Sequence, residues 1–207
     1  MYTTIVYIML LAGGVLSQNP TPTTTSHVHG RDQLGKPLVT TAFCSDSRLG
    51  PTAIPTHTMI ASMFTDYGRF GRECPQGYYD TWIEYDGSVP KPPQDGFRLD
   101  SNGKKISYMT SIPNNTEIDR FGWPNGSFVS LAGRPFSERS IPPSNILKRG
   151  EDGLIYGRWL TIEEIDNVEA GPVAPWYNQP GNGTQYLLPD STWNLVDQGF
   201  LQEIIQF

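Results

Sequence analysis

Residues 119–143 read DRFGWPNGSFVSLAGRPFSERSIPP, and this stretch decides the class of fold. Within it, residues 127–131 (SFVSL) mix aromatic and β-branched residues with serine, and the turn Ala132-Gly133 follows, which is typical of a short strand. The whole chain has 21 glycines and 18 prolines among 207 residues, so turns should be frequent and long helices rare. Three further strands are expected at residues 105–112, 154–162 and 185–188.

Two other segments leave their secondary structure open. The sequence Thr161-Ile162-Glu163-Glu164 fits a capping box, so a short helix over residues 161–168 is an alternative to a strand there. The apolar spacing in residues 194–207 suits either a helix or a strand with a bulge. The fold class is therefore expected to be α+β, with a mainly antiparallel β-sheet core and short helices.

Composition and motifs exclude several classes of function. The formal net charge is -6, which opposes a sequence-independent nucleic-acid binder, since such proteins need a basic face. Aromatic residues make up 12 % of the chain, which opposes wholesale disorder. The HExxH, P-loop and GxGxxG motifs are absent from the sequence, and the three histidines (27, 29 and 57) all precede the main module. A serine or cysteine nucleophile in that module would thus have no histidine base.

The N-terminal region indicates export from the cell. Residues 5–12 (IVYIMLLA) form an apolar run too short to span a bilayer, so residues 1–17 are predicted to be a signal peptide, with a signal anchor as the alternative. Residues 18–35 form a linker, rich in Thr and Pro at its start. The mature chain is expected to be secreted or extracellular, with a cell-surface association as one form of this location, and to have no stable membrane insertion.

Features of secreted proteins follow in the rest of the chain. Cys44 and Cys74 are the only cysteines, and they are expected to form a disulfide that staples an N-terminal module at residues 36–95. The larger core follows at residues 96–207. N-glycosylation sequons begin at Asn114, Asn125 and Asn182.

Arginines and aromatic side chains are concentrated on glycine-rich turns, which indicates a binding pocket. An arginine fork pairs with phosphate oxygens through two hydrogen bonds, and aromatic rings stack on flat groups. Such a pocket would take an anion that carries a flat ring. The alternative is that Arg120 and Arg139 are surface or strand-pairing arginines and that Trp176 belongs to the core.

Three blocks, two within residues 119–143 and one at 168–186 (VEAGPVAPWYNQPGNGTQY), resemble the tuberculosis necrotizing toxin family, and within it the secreted fungal surface NAD glycohydrolases. The resemblance covers about residues 110–200. It implies a toxin-like catalytic core that follows an extra N-terminal module. It also implies cleavage of the nicotinamide–ribose bond of NAD⁺, with NADP⁺ as a second candidate substrate, to give nicotinamide and ADP-ribose.

The resemblance also implies the roles of individual residues. Arg120 and Arg139 would hold the pyrophosphate, and Gln185 would be needed for hydrolysis. Substrate binding is assigned to Phe121, Phe128 and Trp176, and Phe128 lacks the phenol that toxins of the family often carry at this position. Nicotinamide leaves as a neutral molecule, so the reaction needs no general acid; Glu138 is the candidate carboxylate near the ribose cation.

Cofactor and partners are implied in the same way. The chemistry requires no cofactor; the fungal relatives suggest a calcium ion near the C-terminus and a homodimer, but the sequence has no identifiable set of calcium ligands. Two other functions remain open at this stage. One is an ADP-ribosyltransferase, although no E-x-E or Q-x-E pair lies near the site, and the other is a non-catalytic extracellular nucleotide- or cell-wall-binding module.

Overall fold

The computed structural model describes residues 42–147 and 156–206, and its centre is a seven-stranded sheet. The predicted signal peptide, the linker and two histidines, His27 and His29, lie outside these residues. All neighbouring strands pair antiparallel, in the order β1-β5-β6-β3-β2-β4-β7. The strands are β1 (Tyr108–Ile112), β2 (Glu117–Arg120), β3 (Phe128–Leu131), β4 (Gly157–Thr161), β5 (Ile165–Pro172), β6 (Thr184–Leu187) and β7 (Leu201–Gln206).

Helices are few and short. The α-helices are α1 (Thr58–Ala61), α2 (Pro75–Trp82) and α3 (Thr192–Asp197). Single 3₁₀ turns lie at Phe43–Ser45, Ser47–Leu49, Ser62–Phe64, Gln94–Gly96, Phe136–Arg139 and Pro143–Ile146. No helix among the described residues is long and apolar enough to cross a bilayer.

The central strand β3 lies between β2 and β6, the two strands that carry the predicted catalytic residues Arg120 and Gln185. On one side it pairs with β2, where Asp119 lies opposite Ser130. On the other side it pairs with β6, where Phe128 lies opposite Leu187. Because β2 ends at Arg120 and β6 carries Gln185, these two residues come from strands separated by one strand only.

Two hydrophobic clusters stabilise the sheet. One is formed by sheet residues together with α3, and it contains Trp159, which is 1 % exposed. The other joins the N-terminal segment, residues 42–95, to the rest of the chain. Phe64 stacks on Phe136 of a 3₁₀ turn with ring centroids 5.0 Å apart, and the cluster also contains Ile205 of β7. Residues 42–95 therefore bury apolar side chains against the part of the chain that follows them.

The predicted fold class, mainly antiparallel β-sheet with few short helices, is confirmed. Strands occur within residues 105–112, at 128–131 and at 184–187, as expected. The helix considered for residues 161–168 is wrong, because β5 starts at Ile165 and pairs with β1 and β6. The C-terminal segment contains both predicted forms in succession, the helix α3 and the strand β7, whose pairing with β4 contains a register shift.

The predicted disulfide does not form, which corrects the expectation of a disulfide-stapled module. Cys44 and Cys74 are both free and exposed. Cys74 caps α2 instead, and its Sγ accepts a hydrogen bond from the Gly77 N–H at 3.4 Å. Packing of aromatic side chains, such as Phe70 against Tyr78 at 5.1 Å, stabilises this segment in place of the covalent link.

Candidate active site

A cavity of about 870 Å³ lies between the N-terminal segment and the strands β2, β3 and β6. Its volume is within the range of pockets that bind small molecules and cofactors. Five residues predicted from the sequence line it: Arg120, Phe121, Phe128, Arg139 and Gln185.

Arg120 is held by backbone carbonyl oxygens. Its Nε donates to the Trp123 carbonyl at 2.8 Å, and its Nη1 donates to the Phe128 carbonyl at 2.7 Å. Burial of the guanidinium lowers the pKa of Arg120. No ion pair within residues 42–147 and 156–206 involves Arg120, so its positive charge has no neutralising carboxylate there.

The turn after β2 explains the position of the Arg120 guanidinium. The Gly126 N–H donates to the Trp123 carbonyl at 3.2 Å and closes the turn. A Cβ atom at position 126 would overlap the Arg120 guanidinium, so only glycine leaves room for it. The sequence WPNG therefore provides both the carbonyl that orients Arg120 and the space that it occupies.

Arg139 also faces the cavity, but a carboxylate neutralises it. Its Nη1 lies 2.5 Å from Asp119 Oδ1, and its Nη2 lies 3.1 Å from Asp119 Oδ2 and 2.9 Å from the Arg134 carbonyl. The Arg139 side chain is 7 % exposed and that of Asp119 is fully buried. Arg139 Nε is buried and has no partner among the described residues.

Asp119 is the centre of this network. Besides the two bonds from Arg139, its Oδ2 accepts from the Tyr156 hydroxyl and the Gly133 N–H, both at 2.9 Å. Burial, and then the negative charge of Asp119, raise the pKa of Tyr156. The sequence analysis assigned no role to Asp119; the available signal was an acidic residue directly before an arginine in a strand pattern.

Gln185 connects the cavity to the N-terminal segment. Its Nε2 donates to the Asp95 carbonyl at 3.0 Å, across 90 positions of sequence. Asp95 has a positive φ of 58° and Gly96 one of 80°, so this turn presents its carbonyl from an unusual backbone conformation. This contact was not predicted, because Asp95 was placed at the end of the N-terminal module and given no role in the site.

Two predicted residues lie away from the cavity. Trp176 packs against Trp82 with ring centroids 5.1 Å apart and is not a lining residue, whereas its neighbour Tyr177 is. Glu138 forms an ion pair with Arg134 at 2.9 Å and does not line the cavity either.

The cavity wall formed by the N-terminal segment carries its own charges. Arg48 pairs with Asp46 at 2.6 Å and lies over the Tyr79 ring, and Lys91 also lines the cavity. Of the three arginines that line the cavity, Arg48 and Arg139 are thus paired with aspartates, and Arg120 is the one that is not.

In the part of the chain that the structure describes, no group of three or more His, Cys, Asp or Glu residues is arranged to hold a metal ion. The calcium ion that the resemblance implies stays a prediction.

Comparisons with known proteins give the following similarities. Residues 111–204 match the family described as tuberculosis necrotizing toxin, a range that includes Arg120, Arg139 and Gln185. The conidial surface nicotinamide adenine dinucleotide glycohydrolase nadA of Aspergillus fumigatus is 35 % identical over 170 residues, which cover 79 % of this chain and 71 % of that protein. The solved structure of tuberculosis necrotizing toxin with its immunity factor matches 84 % of this chain and 96 % of that chain, with a TM-score of 0.54 and 19 % identity, which shows a shared fold.

Proposed function

The chain belongs to the tuberculosis necrotizing toxin family, and from that premise we propose that it is an NAD⁺ glycohydrolase, which hydrolyses the nicotinamide–ribosyl bond to give nicotinamide and ADP-ribose. NADP⁺ is proposed as a second substrate. The observation that carries the proposal is one cavity that contains an arginine without a carboxylate partner and the amide of Gln185.

Arg120 is proposed to bind the pyrophosphate. Its Nε N–H and one N–H of Nη1 bond two carbonyls, so the second N–H of Nη1 and the two N–H groups of Nη2 remain to donate to the substrate. A charge that no carboxylate neutralises attracts a dianion strongly in a cavity of low dielectric constant. Two carbonyl contacts also orient the guanidinium before the substrate arrives, which lowers the cost of ordering it on binding.

Arg139 is proposed to assist Arg120 with one hydrogen bond. Its positive charge is already matched by Asp119, so it adds little net attraction for the pyrophosphate. Its Nε is buried, so the donor proposed for the pyrophosphate is the second N–H of Nη1, whose first N–H bonds Asp119. Phe121 and Phe128 would supply apolar wall next to this region, whereas the packing of Trp176 on Trp82 supports a role in the core.

The chemical step needs orientation and a water molecule. As the bond between ribose C1′ and the nicotinamide nitrogen breaks, its electron pair leaves with neutral nicotinamide, so no acid is required. Water then adds its oxygen to C1′ and releases a proton to solvent. Gln185 is proposed to orient the ribose hydroxyls or this water, and an amide can do so without changing its protonation state.

The test is the product profile of the purified full chain with NAD⁺. We expect equal amounts of nicotinamide and ADP-ribose from the wild type, and a loss of about 10²-fold in kcat for Gln185→Ala, as for other misplaced reacting groups. Arg98→Ala is the matched control, because Arg98 is exposed and does not line the cavity. NAD⁺ binding without turnover by the wild type would favour a non-catalytic binding module.

The same assay separates hydrolysis from ADP-ribosyl transfer. A transferase would release nicotinamide in excess of free ADP-ribose and would attach the difference to an acceptor. No feature of the described cavity favours this second activity, since Glu138 is paired with Arg134 and lies outside the lining.

The location and assembly of the protein are proposals of the same kind. The relative from Aspergillus is named as a conidial surface protein, which supports a secreted or surface location for this chain. Detection of the full chain outside the cells that express it, with a new N-terminus near Ser17, would test this. A homodimer is also proposed, and light scattering of the purified protein would measure its mass.

A further inference from the structure

Two exposed tryptophans lie near one sequon. Trp123 is 42 % exposed and Trp193 is 57 % exposed, and Asn125 lies two residues after Trp123. A second cavity of about 450 Å³ opens at this place, separate from the candidate active site. It is lined by Asn125, Ser127, Asp190, Ser191, Trp193 and Asn194. We name this cavity the polar groove.

Backbone bonds fix both tryptophans relative to Asn125. The turn that contains Asn125 is closed by the bond from the Gly126 N–H to the Trp123 carbonyl. The Trp193 N–H donates to the Pro124 carbonyl at 2.9 Å, and the Thr192 hydroxyl donates to the same oxygen at 2.7 Å. The start of α3 is thereby attached to the sequon turn, and Trp193 stays at the rim of the polar groove.

Asp190, another residue that lines the polar groove, is ordered as well. Asp190 Oδ1 accepts from the Ser191 N–H at 2.7 Å and from Asn194 Nδ2 at 2.8 Å, and its Oδ2 accepts from Gln198 Nε2 at 3.1 Å. These bonds lower the pKa of Asp190, so it is a fixed negative acceptor near neutral pH. An ordered carboxylate, an indole and amide groups around an open groove are a set of partners that suits the hydroxyls and C–H faces of a sugar.

We propose that Asn125 carries an N-linked oligosaccharide, that its first N-acetylglucosamine packs on the face of Trp123, and that the following sugars lie in the polar groove against Trp193. The proposal rests on the secreted location proposed above and is independent of NAD⁺ hydrolysis. The C–H groups of a pyranose face carry partial positive charge, and an indole face is negative, so the two surfaces attract while both lose water.

The modification itself is a glycosyl transfer from a lipid-linked oligosaccharide diphosphate. A bond forms between Asn125 Nδ2 and the anomeric carbon of the first sugar. The bond from that carbon to the diphosphate oxygen breaks, and the lipid diphosphate leaves with the electron pair. Asn125 Nδ2 loses one proton to the transferring enzyme.

The other two sequons lack this arrangement. The residue two before Asn114 is Ile112, which is 2 % exposed and belongs to the core. The residue two before Asn182 is Pro180, and Asn182 Nδ2 already donates to the Pro180 carbonyl at 3.2 Å. All three acceptors are exposed, so the aromatic neighbours, and not access, distinguish Asn125.

The test uses the full chain secreted by a eukaryotic host, with occupancy of each sequon measured by peptide mass spectrometry. We expect high occupancy at Asn125. We also expect Asn125→Gln to lower the Tm by about 2–4 °C, which is the shift for a loss near 1 kcal/mol in a chain of this size. In a Trp123→Ala background, removing the sugar should change the Tm by much less.

Two further measurements complete the design. Trimming the glycan to its first sugar should lower the Tm slightly in the wild type and not in Trp193→Ala. Asn114→Gln is the matched control, and its Tm should equal that of the wild type. An unoccupied Asn125, or the same Tm loss with and without Trp123, would overturn the proposal; neither result depends on whether the protein hydrolyses NAD⁺.

Discussion

Arg139 is held by a buried carboxylate and Arg120 by backbone carbonyls, although both guanidinium groups face the same cavity. A buried ion pair is nearly neutral from outside, and removing one partner leaves an isolated charge. A guanidinium held by carbonyls is equally well oriented but keeps its full charge. From this difference we expect Arg139 mainly to stabilise the fold and Arg120 mainly to bind the substrate.

The largest effect should come from removing the carboxylate of the pair. Asp119→Asn leaves the Arg139 charge buried without its counter-ion, and we expect a loss of about 3–5 kcal/mol in the free energy of unfolding. Urea denaturation measures it. The control is the double variant Asp119→Asn, Arg139→Met, which should be less destabilised than Asp119→Asn alone. A double variant that is less stable than Asp119→Asn alone would contradict the view that the unpaired Arg139 charge causes the loss.

Removing the unpaired cation should instead reduce activity. For Arg120→Ala we expect kcat/KM for NAD⁺ to fall by about 10²–10³-fold, as when one preorganised donor is lost from an enzyme site. Arg120→Lys keeps the charge but not the planar fork of two nitrogens, so its kcat/KM should lie between those of the wild type and Arg120→Ala. Initial rates over a range of NAD⁺ concentration measure both. Unchanged rates in folded Arg120→Ala would assign substrate binding to another group.

Tyr156→Phe tests the network around Asp119 more finely. The variant loses one hydrogen bond to a carboxylate that keeps three others, so we expect a loss of about 1–2 kcal/mol at neutral pH. Because the pKa of Tyr156 is raised in the folded protein, its contribution is present below the ordinary pKa near 10 and is lost as the pH rises further. Urea midpoints of both proteins between about pH 8 and pH 11 should therefore converge at the alkaline end.

The pair of Asp46 and Arg48 gives the smallest expected effect and extends the comparison to partly exposed side chains. The hydrogen bond from Arg48 lowers the pKa of Asp46 below its ordinary 3.8. Its stabilisation is therefore present above about pH 4 and is lost as the pH falls through the lower folded value. For Asp46→Asn we expect a loss below about 1 kcal/mol at neutral pH, measured by urea denaturation, and none at strongly acidic pH. Exposed Asp66→Asn is the control.

The sequence predicted the parts of the molecule that depend on local pattern. Residues 127–131 alternate before a glycine turn, and β3 lies there. The capping-box pattern at residues 161–164 pointed to a helix, but β5 pairs on both sides and its ladder bonds outweigh a local cap. Pairing with distant strands is not visible in a local pattern.

Most residues of the candidate site were predicted from the sequence, but the contacts between them were not. Arg120, Arg139, Phe128 and Gln185 do meet in one cavity. The counter-charge of Arg139 could not be predicted, because Asp119 is 20 positions away and reaches it only through the fold of the sheet. The prediction of a disulfide was wrong, because an even number of cysteines does not show how far apart the two side chains lie in the fold.

The bond between Gln185 and the Asp95 carbonyl also orients the Gln185 carboxamide. A carboxamide has a donor end and an acceptor end, and a carbonyl oxygen can face only the donor end. With one N–H donated to Asp95, Gln185 keeps its oxygen and its second N–H, and we expect the oxygen to accept from an O–H donor such as a ribose hydroxyl or water. On this proposal, a turn of the N-terminal segment orients a substrate-contacting group on β6.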